Sequence, residues 1–474
     1  MTPVVVWFRR DLRLADNPAL CAAAQAGPVL PVYIHAPEEE QPWPPGGASR
    51  WWLHHSLIAL ERSLAEYALP LITLRAPCSL DALRRVIRDT GAQQVVWNRL
   101  YDPAITARDS AIKESLHSEG INANSYNGAL LCEPWEVGKV SGGHYKTYTP
   151  FWRTLRRLVN PAKPLRVPEV QRPDSIPEHV TVADLALLPR IPWDRGFHPV
   201  WSPGEAGALQ RLSTFLADRL RGYGNNRELP AVAGTSGLSP HLHHGEISPR
   251  QIWTATQSAA AAGEGDDAET YLSELAWREF GHHLLFHYPD MPHDPIDTRF
   301  RAFPWSAHAE EALVAWRAGR TGIPIVDAGM RELWTTGWMH NRLRMVVGSL
   351  LTKNLRVPWQ LGEAWFWDTL VDADLANNSM GWQWIQGCGA DAAPYFRIFN
   401  PVRQGQRFDP DGAYVRRWLP ELAHLPARHI HAPWQAPPGV LHQAGVRLGR
   451  TYPRPTVDLA ASRKEALEAY RAIR

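Results

Sequence analysis

The 474-residue sequence predicts two domains: an N-terminal α/β domain with a parallel, Rossmann-like sheet and an all-α C-terminal domain. Up to about residue 130, short β-branched runs alternate with helical patterns, and strands separated by such helices form βαβ units. From about residue 205 the pattern is helical. Between them the chain is dense in proline and only weakly periodic, which predicts a linker. The predicted boundaries are 1–130, 131–204 and 205–474.

The predicted strands are short runs of apolar and β-branched residues. They cover residues 4–8, 29–35, 70–75, 93–98 and 121–127, with helices between them over 16–27, 49–68, 79–90 and 103–119. In the first helix we expect Asp16 to be the N-cap, Pro18 to lie in the first turn and Gly27 to end the helix. The first strand runs into WFRRDLRL, so the usual G-x-G-x-x-G dinucleotide fingerprint is absent.

Helical periodicity dominates the predicted C-terminal domain. The main helices are predicted over residues 206–220, 248–261, 268–287, 308–319, 325–355 and 462–473. The sequence contains no internal repeat and no low-complexity segment, so a solenoid is not expected.

The composition is that of a globular protein and does not by itself indicate a partner. Net charge is +2, and six lysines among the 50 basic residues leave 44 arginines. Arginine suits phosphate contacts and aromatic stacking, but a GC-rich genome explains the same bias. The four scattered cysteines argue against a zinc site or a disulfide framework. Together with the lack of a signal peptide or membrane span, they predict a cytoplasmic protein without a metal.

The segment GTSGLSPHLHHGEISPR, residues 234–250, is a small-residue loop that leads towards a helix. Thr235, Ser236 and Ser239 offer hydroxyl groups, and the glycines let backbone amides approach a ligand. Such a loop can hold a pyrophosphate. An ordinary serine-rich turn explains the same residues.

The segment ELAWREF, residues 274–280, is helical by pattern. Glu274, Trp277 and Arg278 are spaced at i, i+3 and i+4, so they share one face of that helix. An aromatic ring beside two charges suggests the wall of a polar pocket. A core face whose polar groups are satisfied is the alternative.

A second mixed face is predicted in TGWMHNRLRM, residues 336–345, within the predicted helix 325–355. Its face consists of Trp338, Asn341, Arg342 and Met345 at i, i+3, i+4 and i+7, with His340 and Arg344 as a further i, i+4 pair around the side. This helix and the previous one are expected to enclose a polar pocket.

Two carboxylates, Asp372 and Asp374, precede Asn377 and Asn378 in VDADLANNSMGWQW. Carboxylates two residues apart can bind a metal, but no further ligands follow nearby in the sequence. Pairing with arginine or with a cofactor is the better interpretation. Farther on, DAAPYFRIFNPVRQGQRFD interleaves arginines with aromatic residues, which is typical of nucleic-acid contact or of a solvated rim.

Taken together, these segments closely resemble the DNA photolyase and cryptochrome family. The matching motifs run through nearly the whole chain in family order. They are WFRRDLRLADNPAL, PAVAGTSGLSPHLHHGEISPRQ, ELAWREF, TGIPIVDAGMRELWTTGWMHNRLRM, DADLANN, GWQW and DAAPYFRIFNP. The resemblance implies an α/β antenna domain followed by an all-α FAD-binding domain.

The resemblance also implies a set of FAD-binding residues. By motif these are Tyr223, Thr235, Ser236, Gly237, Leu238, Ser239, Arg278, Asn341, Arg344, Asp372, Asp374 and Asn378. Asn378 is expected at the flavin N5 atom. The family often has Arg or Lys where this chain has Gly237, so phosphate binding is expected to rely more on backbone amides and hydroxyl groups.

The implied activity is that of the bacterial enzymes that repair cyclobutane pyrimidine dimers in UV-damaged DNA. Photoexcited reduced FAD donates an electron to a flipped-out dimer, which splits and returns the electron. The implied DNA-binding residues are Arg227, Glu274, Trp277, Arg278, Asn341, Arg342, Met345, Trp384, Arg397 and Gln404. Glu274 is also expected to stabilise the dimer radical anion by a proton or hydrogen bond. A monomer is expected.

Three further tryptophans match the family's electron-transfer chain, which photoreduces oxidised FAD. They are Trp382, Trp359 and Trp305, of which Trp305 requires a one-residue shift; with Glu274 and Asn378 they complete the predicted catalytic set. Core packing is the alternative for these indoles. The implied antenna is methenyl-tetrahydrofolate or an 8-hydroxy-deazaflavin, with Arg9, Arg50, Asp102 and Arg108 as candidate contacts.

A light-signalling cryptochrome without repair activity is the main alternative. Signalling members usually carry a long C-terminal extension, whereas this sequence stops soon after the last predicted helix. The chain also retains the lesion set, and Asn341 and Met345 after His340 are typical of cyclobutane-dimer enzymes rather than of (6-4) photolyases. Repair is therefore the favoured prediction.

Overall fold

The computed structural model describes residues 2–159, 163–261, 263, 265–392 and 395–474. Within them, the N-terminal part contains a parallel five-stranded sheet in the order β3-β2-β1-β4-β5. The strands are β1 (Val4–Phe8), β2 (Val29–His35), β3 (Ile72–Arg75), β4 (Gln94–Asn98) and β5 (Asn122–Tyr126), and the helices between them are α1 (Pro18–Ala26), α2 (Gly47–Ala65), α3 (Ser79–Thr90) and α4 (Pro103–Ser118).

The central strand β1 is buried along its whole length. Val4, Val6 and Phe8 belong to one apolar cluster, whereas Val5 and Trp7 belong to another. Alternate residues of a strand point to opposite faces, so the sheet is covered on both sides. This arrangement confirms the predicted Rossmann-like α/β domain.

The start of α1 differs from the prediction. Its N-cap is Asn17, whose side-chain oxygen accepts the Leu20 backbone N–H at 3.1 Å. Asp16 has a φ of 51° and is fully buried. Its carboxylate accepts hydrogen bonds from the side chains of Ser248 and Arg250. Asp16 therefore joins the α/β domain to the helical part of the chain instead of capping α1.

The C-terminal part is helical, as predicted. Its helices are α5 (Tyr148–Leu158), α6 (Glu205–Asp218), α7 (Tyr223–Asn226), α8 (Ser239–His243), α9 (Pro249–Ala261), α10 (Gly265–His287), α11 (Ala309–Arg317), α12 (Pro324–Thr336), α13 (Asn341–Ser349), α14 (Trp359–Thr369), α15 (Leu375–Gln386), α16 (Pro401–Phe408), α17 (Ala413–Trp418), α18 (Ala427–Ile430), α19 (Pro438–Gln443) and α20 (Leu459–Ala472). Among the described residues no helix is both long and apolar enough to cross a membrane.

The prediction of one helix over 325–355 is wrong. α12 stops at Thr336 because Gly337 adopts a left-handed φ of 69° as its C-cap. α13 then begins at Asn341, and His340 is its N-cap. The Nδ1 atom of His340 accepts the backbone N–H of Arg342 at 3.1 Å. After Ser349 the helix continues as a single π-helical segment, Leu350–Asn354.

This break changes the predicted faces. Trp338 lies before α13, so it does not share a helical face with Asn341 and Met345. It packs in a separate apolar cluster with Phe197 and Val371. His340 acts as a cap and does not form the predicted i, i+4 pair within a helix.

The segment predicted as a linker contains α5, which packs into the helical domain. Phe151 and Leu155 of α5 lie in the same buried core as Phe280 and Leu284 of α10. Residues 163–204 contain no α-helix or β-strand. The irregular connection is therefore shorter than the predicted 131–204.

Buried polar contacts hold the two parts together. The Arg13 guanidinium, 1% exposed, donates to the carbonyls of Gly245 and Gly128 at 2.9 and 2.7 Å. The Glu246 carboxylate accepts from Trp52 Nε1 at 2.9 Å and from the Gly204 N–H at 2.7 Å. Because a buried charge is costly unless hydrogen-bonded, these contacts fix how the sheet meets the helices.

Candidate active site

The predicted phosphate-binding turn, residues 235–239, leads directly into α8. Gly237 has a φ of 64°, a left-handed conformation that favours glycine. The Leu238 N–H donates to Ser236 Oγ at 3.3 Å. Ser239 Oγ donates to Asp372 Oδ2 at 2.7 Å, so a direct side-chain hydrogen bond joins the turn to the DADLANN segment.

Arg211 of α6, which the sequence analysis missed, lies against this turn. A Cβ atom at position 237 would be only 2.6 Å from Arg211 Nη1. The guanidinium donates to the Val200 carbonyl at 2.9 Å and lies 4.7 Å from the Trp201 ring. Burial and the charge of Arg219 lower the pKa of Arg211, and no carboxylate within the described part of the chain raises it. A cation without a carboxylate partner thus stands beside the turn.

Arg344 and Asp372 form the arginine–carboxylate pair predicted as the alternative to a metal site. Arg344 Nη2 donates to both Asp372 oxygens, at 3.0 and 2.8 Å. Arg344 Nε donates to the Met339 carbonyl at 2.8 Å, so the break between α12 and α13 orients the guanidinium. The Asp372 side chain is 3% exposed, and pairing compensates its burial.

Asp374 is the N-cap of α15 and accepts the Asn377 backbone N–H at 3.0 Å. The fold brings two imidazoles to it that are distant in sequence. His243 Nδ1 and His282 Nε2 lie 3.7 and 3.6 Å from Asp374 Oδ2. Among the described residues no group of three or more such side chains has metal-binding geometry.

Asn378 lies one turn into α15, and its side-chain amide donates to the Glu363 carbonyl oxygen of α14 at 3.1 Å. The Glu363 side chain is fully buried and bonded to the Ser379 hydroxyl. Burial raises the pKa of Glu363 well above its ordinary value, because an apolar environment disfavours the charged carboxylate. The Asn378 amide is thereby held by the Glu363 backbone carbonyl.

Tyr223 and Arg227 of the short helix α7 lie beside Glu274 of α10. Tyr223 is 5% exposed, and the Arg227 guanidinium lies 5.5 Å from its ring. Arg227 Nη1 pairs with Glu274 Oε1 at 2.7 Å. Glu274 is half-buried, so the structure brings these three predicted residues together at a partly open position.

Trp277, one turn after Glu274, is half-buried and stacks on Tyr148 of α5. The ring centroids are 3.7 Å apart and the planes differ by 8°. On the neighbouring helix α15, Trp384 is also half-buried, and its Nε1 donates to the Asp391 carbonyl at 3.2 Å. The Arg397 guanidinium lies 5.5 Å from the Trp384 ring.

The α13 residues of the predicted DNA contact differ in their surroundings. Asn341 is exposed and Met345 is half-buried. Arg342 forms an ion pair with Glu228 and lies 4.4 Å from the Phe408 ring. Its Nη1 is 3.8 Å from Met345 Sδ. A phosphate would have to compete with Glu228 for this guanidinium.

Gln404 and Arg278, two further predicted DNA contacts, differ in whether their side chains have hydrogen-bond partners within the described part of the chain. Gln404 of α16 has a buried Oε1 atom without a hydrogen-bond partner among the described residues. Arg278 is a correction: its side chain is only 14% exposed, and Nη1 donates to the Ala129 carbonyl of the N-terminal part at 2.8 Å. It lies at the interface between the two parts of the chain, which does not suit contact with a DNA phosphate.

The three predicted chain tryptophans range from buried to half-buried. Trp382 and Trp359 are each 2% exposed within the largest core, and Trp305 packs at its edge. Trp382 also contacts Phe366 and Trp316, with ring centroids 5.0 and 6.2 Å away. Trp316 was not predicted, because a buried indole gives no signal in sequence that separates it from core packing.

The chain matches two family models. Residues 4–170 match the model described as DNA photolyase, and residues 271–472 match the FAD binding domain of DNA photolyase. The deoxyribodipyrimidine photo-lyase of Agrobacterium fabrum is 48% identical over 100% of this chain and 98% of that protein. The chain belongs to the DNA photolyase and cryptochrome family.

Family members of both functional kinds are similar. Cryptochrome-1 of Arabidopsis thaliana is 43% identical over 98% of this chain and 70% of that protein. The solved structure of a class III photolyase from Agrobacterium tumefaciens superimposes with a TM-score of 0.96, at 48% identity over 100% of this chain and 98% of that one. A Synechocystis cryptochrome superimposes with a TM-score of 0.91 at 30% identity, covering 99% of each chain.

The helical part of this family member is an FAD-binding domain. The described residues fit that cofactor on independent grounds. Gly237 lets the turn approach the Arg211 guanidinium closely, that guanidinium has no carboxylate partner among the described residues, and the Arg344–Asp372 pair supplies charge and hydrogen-bond acceptors.

The four predicted antenna residues do not lie together. Arg9 and Arg108 both pair with Asp109, at 2.7 and 2.8 Å, and both guanidiniums lie over the Trp7 ring. Asp102 pairs with Arg10. The charges of these three predicted residues thus have partners within the α/β domain, and their contact with an antenna stays a prediction.

Arg50 lies elsewhere, at a cavity between α2, the irregular connection and α12. Its volume is about 440 Å³. The lining includes Arg50, Arg190, Trp193, Phe197 and Trp334. Trp334 is 53% exposed at this cavity, and its ring stacks on Trp365 with the centroids 5.9 Å apart.

Proposed function

We propose that this chain repairs cyclobutane pyrimidine dimers in DNA with the energy of blue light, the activity named in its photo-lyase relatives. The observation that carries the proposal is the pair of half-buried indoles, Trp277 and Trp384, on the neighbouring helices α10 and α15. Glu274 lies one turn from Trp277. Aromatic faces beside a carboxyl group suit an extruded pyrimidine dimer.

The cofactor of this reaction is FAD, which in its reduced, photoexcited form supplies the electron that splits the dimer. The residues assigned to hold it are Tyr223, residues 235–239, Asn341, Arg344, Asp372, Asp374 and Asn378, to which Arg211 is now added. Arg211 contributes the phosphate-facing charge that Gly237 lacks. Asn378, fixed by the Glu363 carbonyl, presents its amide to the flavin ring.

The protein's task with DNA is to hold the dimer outside the helix. Extrusion costs a few kcal/mol, less for a damaged base, and each stacked base regains about 1–3 kcal/mol. Trp277 and Trp384 are assigned the stacking on the dimer. Glu274 and Met345 are assigned contacts with the edge of the dimer. The phosphate contacts are assigned to Arg227, Arg342, Arg397 and Gln404. Binding should therefore weaken as salt concentration rises.

Electron supply to the resting protein is assigned to Trp382, Trp359 and Trp305. Two of these indoles are buried in the core and the third is half-buried, so an oxidising equivalent can leave the interior towards the surface. We further infer that the protein acts as a monomer in the cytoplasm. All four cysteines are free, which suits a reducing compartment.

The antenna chromophore is assigned to the cavity at Arg50. The indoles of Trp193 and Trp334 in the cavity lining suit a planar ring, and Arg50 and Arg190 suit the acidic tails of methenyl-tetrahydrofolate or of a deazaflavin. The predicted contact at Arg50 is kept in this proposal, and contacts of Arg9, Asp102 and Arg108 with the antenna stay predictions.

The repair assay is direct. Purified protein is incubated with a thymine-dimer oligonucleotide in darkness and under blue light, and intact thymines are quantified. Repair is expected only in light. Equal persistence of dimers in both conditions would refute the proposal, provided that the protein contains FAD by its absorption spectrum.

A light sensor without repair activity is the second candidate, because cryptochromes also match the whole chain. Trp277→Ala separates the two functions. In a repair enzyme it should weaken dimer binding about tenfold or more through lost stacking, while FAD photoreduction continues. Trp135→Ala, which removes an indole that is 51% exposed elsewhere, is the control. If the wild-type protein shows no specific affinity for the dimer, the light-sensor function is favoured.

A further inference from the structure

Asp391 connects three segments at the edge of the helical domain. Its Oδ1 atom accepts the Tyr148 backbone N–H at 3.1 Å, and its carbonyl accepts Trp384 Nε1 at 3.2 Å. Its own N–H donates to the Lys146 carbonyl at 2.9 Å. Asp391 therefore holds the start of α5 and the Trp384 indole at the same time.

Tyr148 continues this connection to α10. Its ring lies parallel to Trp277 at 3.7 Å, which is close for an aromatic pair. Its hydroxyl donates to the Ser273 carbonyl at 2.5 Å and is 2.7 Å from Ser273 Oγ. Ser273 precedes Trp277 by about one helical turn, so Tyr148 is fastened to α10 at two points.

Two local features support a structural role for the contact between Asp391 and the start of α5. The N-cap of α5, Thr147, makes no side-chain cap bond, and the Asp391 carboxylate takes over the free N–H at that end. An anion there is favoured by the helix dipole. Asp391 also holds a φ of 53°, a strained value for a residue with a side chain.

We propose that Tyr148 and Asp391 are positioning residues that set the spacing between Trp277 and Trp384. Three contacts connect the two indoles. The Trp277 ring stacks on the Tyr148 ring, the Tyr148 backbone N–H donates to Asp391, and the Asp391 carbonyl accepts from the Trp384 indole. Neither residue is assigned a contact with the dimer or FAD. The inference rests on the proposed function, in which the two indoles receive the dimer.

Paired variants test the link. Tyr148→Phe keeps the stacked ring and Tyr148→Leu removes it; Asp391→Asn keeps the Oδ1 acceptor and Asp391→Ala removes it. The measurements are dark affinity of the FAD-bound protein for a dimer oligonucleotide, and the repair rate at saturating DNA. Tyr148→Leu and Asp391→Ala should weaken affinity about three- to tenfold. Their conservative partners should bind like the wild type, and saturated repair should persist.

Trp152→Leu is the matched control. It removes a half-buried aromatic ring from the same helix, where Trp152 packs 6.1 Å from Trp253 and not against Trp277. It should lower Tm as Tyr148→Leu does, but leave dimer affinity unchanged. If Trp152→Leu weakens affinity as much, or if Tyr148→Leu and Asp391→Ala bind normally, the positioning role is wrong.

A crystal structure of Tyr148→Leu with FAD separates this inference from the proposed function. The distance between the Trp277 and Trp384 rings should differ from the wild-type distance. An unchanged distance overturns the positioning role even if the wild type repairs dimers. A changed distance in a protein that repairs no dimers would instead refute only the proposed function.

Discussion

At the scale of single residues, the positive charge beside the turn at Gly237 comes from Arg211, a residue of the distant helix α6. Gly237 carries no charge, and α6 brings the Arg211 guanidinium to the same turn, 2.6 Å from where a Cβ atom of residue 237 would lie. The cation is not available from the sequence pattern, because helix α6 and the turn are far apart along the chain and only the tertiary fold joins them.

Arg211→Ala should weaken FAD binding, because a guanidinium–phosphate contact is worth about 1.5–3 kcal/mol, or roughly tenfold or more in affinity. The measurement is FAD retained after dialysis, or the dissociation constant of apoprotein titrated with FAD. Arg219→Ala, which removes a cation whose charge acts on Arg211, is the control.

The double variant Arg211→Ala, Gly237→Arg sharpens the test. Removing Arg211 clears the space that a side chain at 237 would need, although the left-handed φ of Gly237 still costs about 1–2 kcal/mol. Partial recovery of FAD affinity is expected. Wild-type affinity in Arg211→Ala alone would contradict a phosphate role for Arg211.

Some residue pairings were predictable and others were not. The choice of an arginine partner for Asp372 over a metal followed from the missing ligands in the sequence, and the Arg344 pair confirms it. Arg278 could not be judged in this way. Its helical spacing from Glu274 was right, but helix spacing does not reveal that the N-terminal part covers that side of α10.

At the scale of elements, the break between α12 and α13 has a signal in the sequence, although the prediction of one helix over 325–355 ignores it. Gly337 is a typical C-cap residue, and it stands at the end of an apolar-periodic segment. The His340 cap is less predictable, because imidazole is an uncommon N-cap. The break matters because the Met339 carbonyl that it exposes orients Arg344.

The π-helical segment after α13 buries an amine. Lys353 is 1% exposed, its Nζ lies 3.4 Å from the Phe396 ring centroid, and it donates to the Arg397 carbonyl at 3.3 Å. Burial lowers the pKa of Lys353 to about 7. The unfolded chain, with an ordinary lysine pKa of about 10.4, binds more protons between those values.

Stability should therefore rise with pH from about 7 to about 10 through Lys353, because folding removes a proton from this lysine and the free-energy cost of that removal falls as the pH approaches the unfolded pKa. Lys353→Met should remove this contribution. The measurement is the difference in Tm between wild type and variant across that range. Lys464→Met, a change at an exposed lysine on α20, is the control. A wild-type-minus-variant difference that does not change with pH would contradict the assignment.

At the scale of the whole molecule, the cavity at Arg50 exists only because α2, the irregular connection and α12 meet. Removing the Trp334 ring or the Arg50 charge from the cavity lining should release the antenna and leave FAD bound. Arg50→Ala and Trp334→Ala are expected to lose most of the near-UV antenna absorption of the purified protein. Arg62→Ala, at an exposed site on the same helix α2, should retain it. Unchanged antenna content in both cavity variants would exclude this site.

The two-part fold was largely predictable, since hydrophobic periodicity marks the strands of the sheet and most of the long helices. The contacts between the parts were not. Asp16 looked like a local cap, yet it bonds with Arg250 far along the chain. Pattern analysis reads neighbours in sequence, whereas such buried pairs depend on which surfaces meet.

The position of α5 has a practical consequence for dissecting the protein. A fragment that starts at residue 205 would retain most of the FAD-binding helices, but it would lack Tyr148 and leave the α10 surface at Phe280 uncovered. Exposed apolar surface of this kind promotes aggregation. An autonomous helical unit, for expression or for domain exchange with a relative, therefore has to carry α5 with it, even though some forty irregular residues separate the two in sequence.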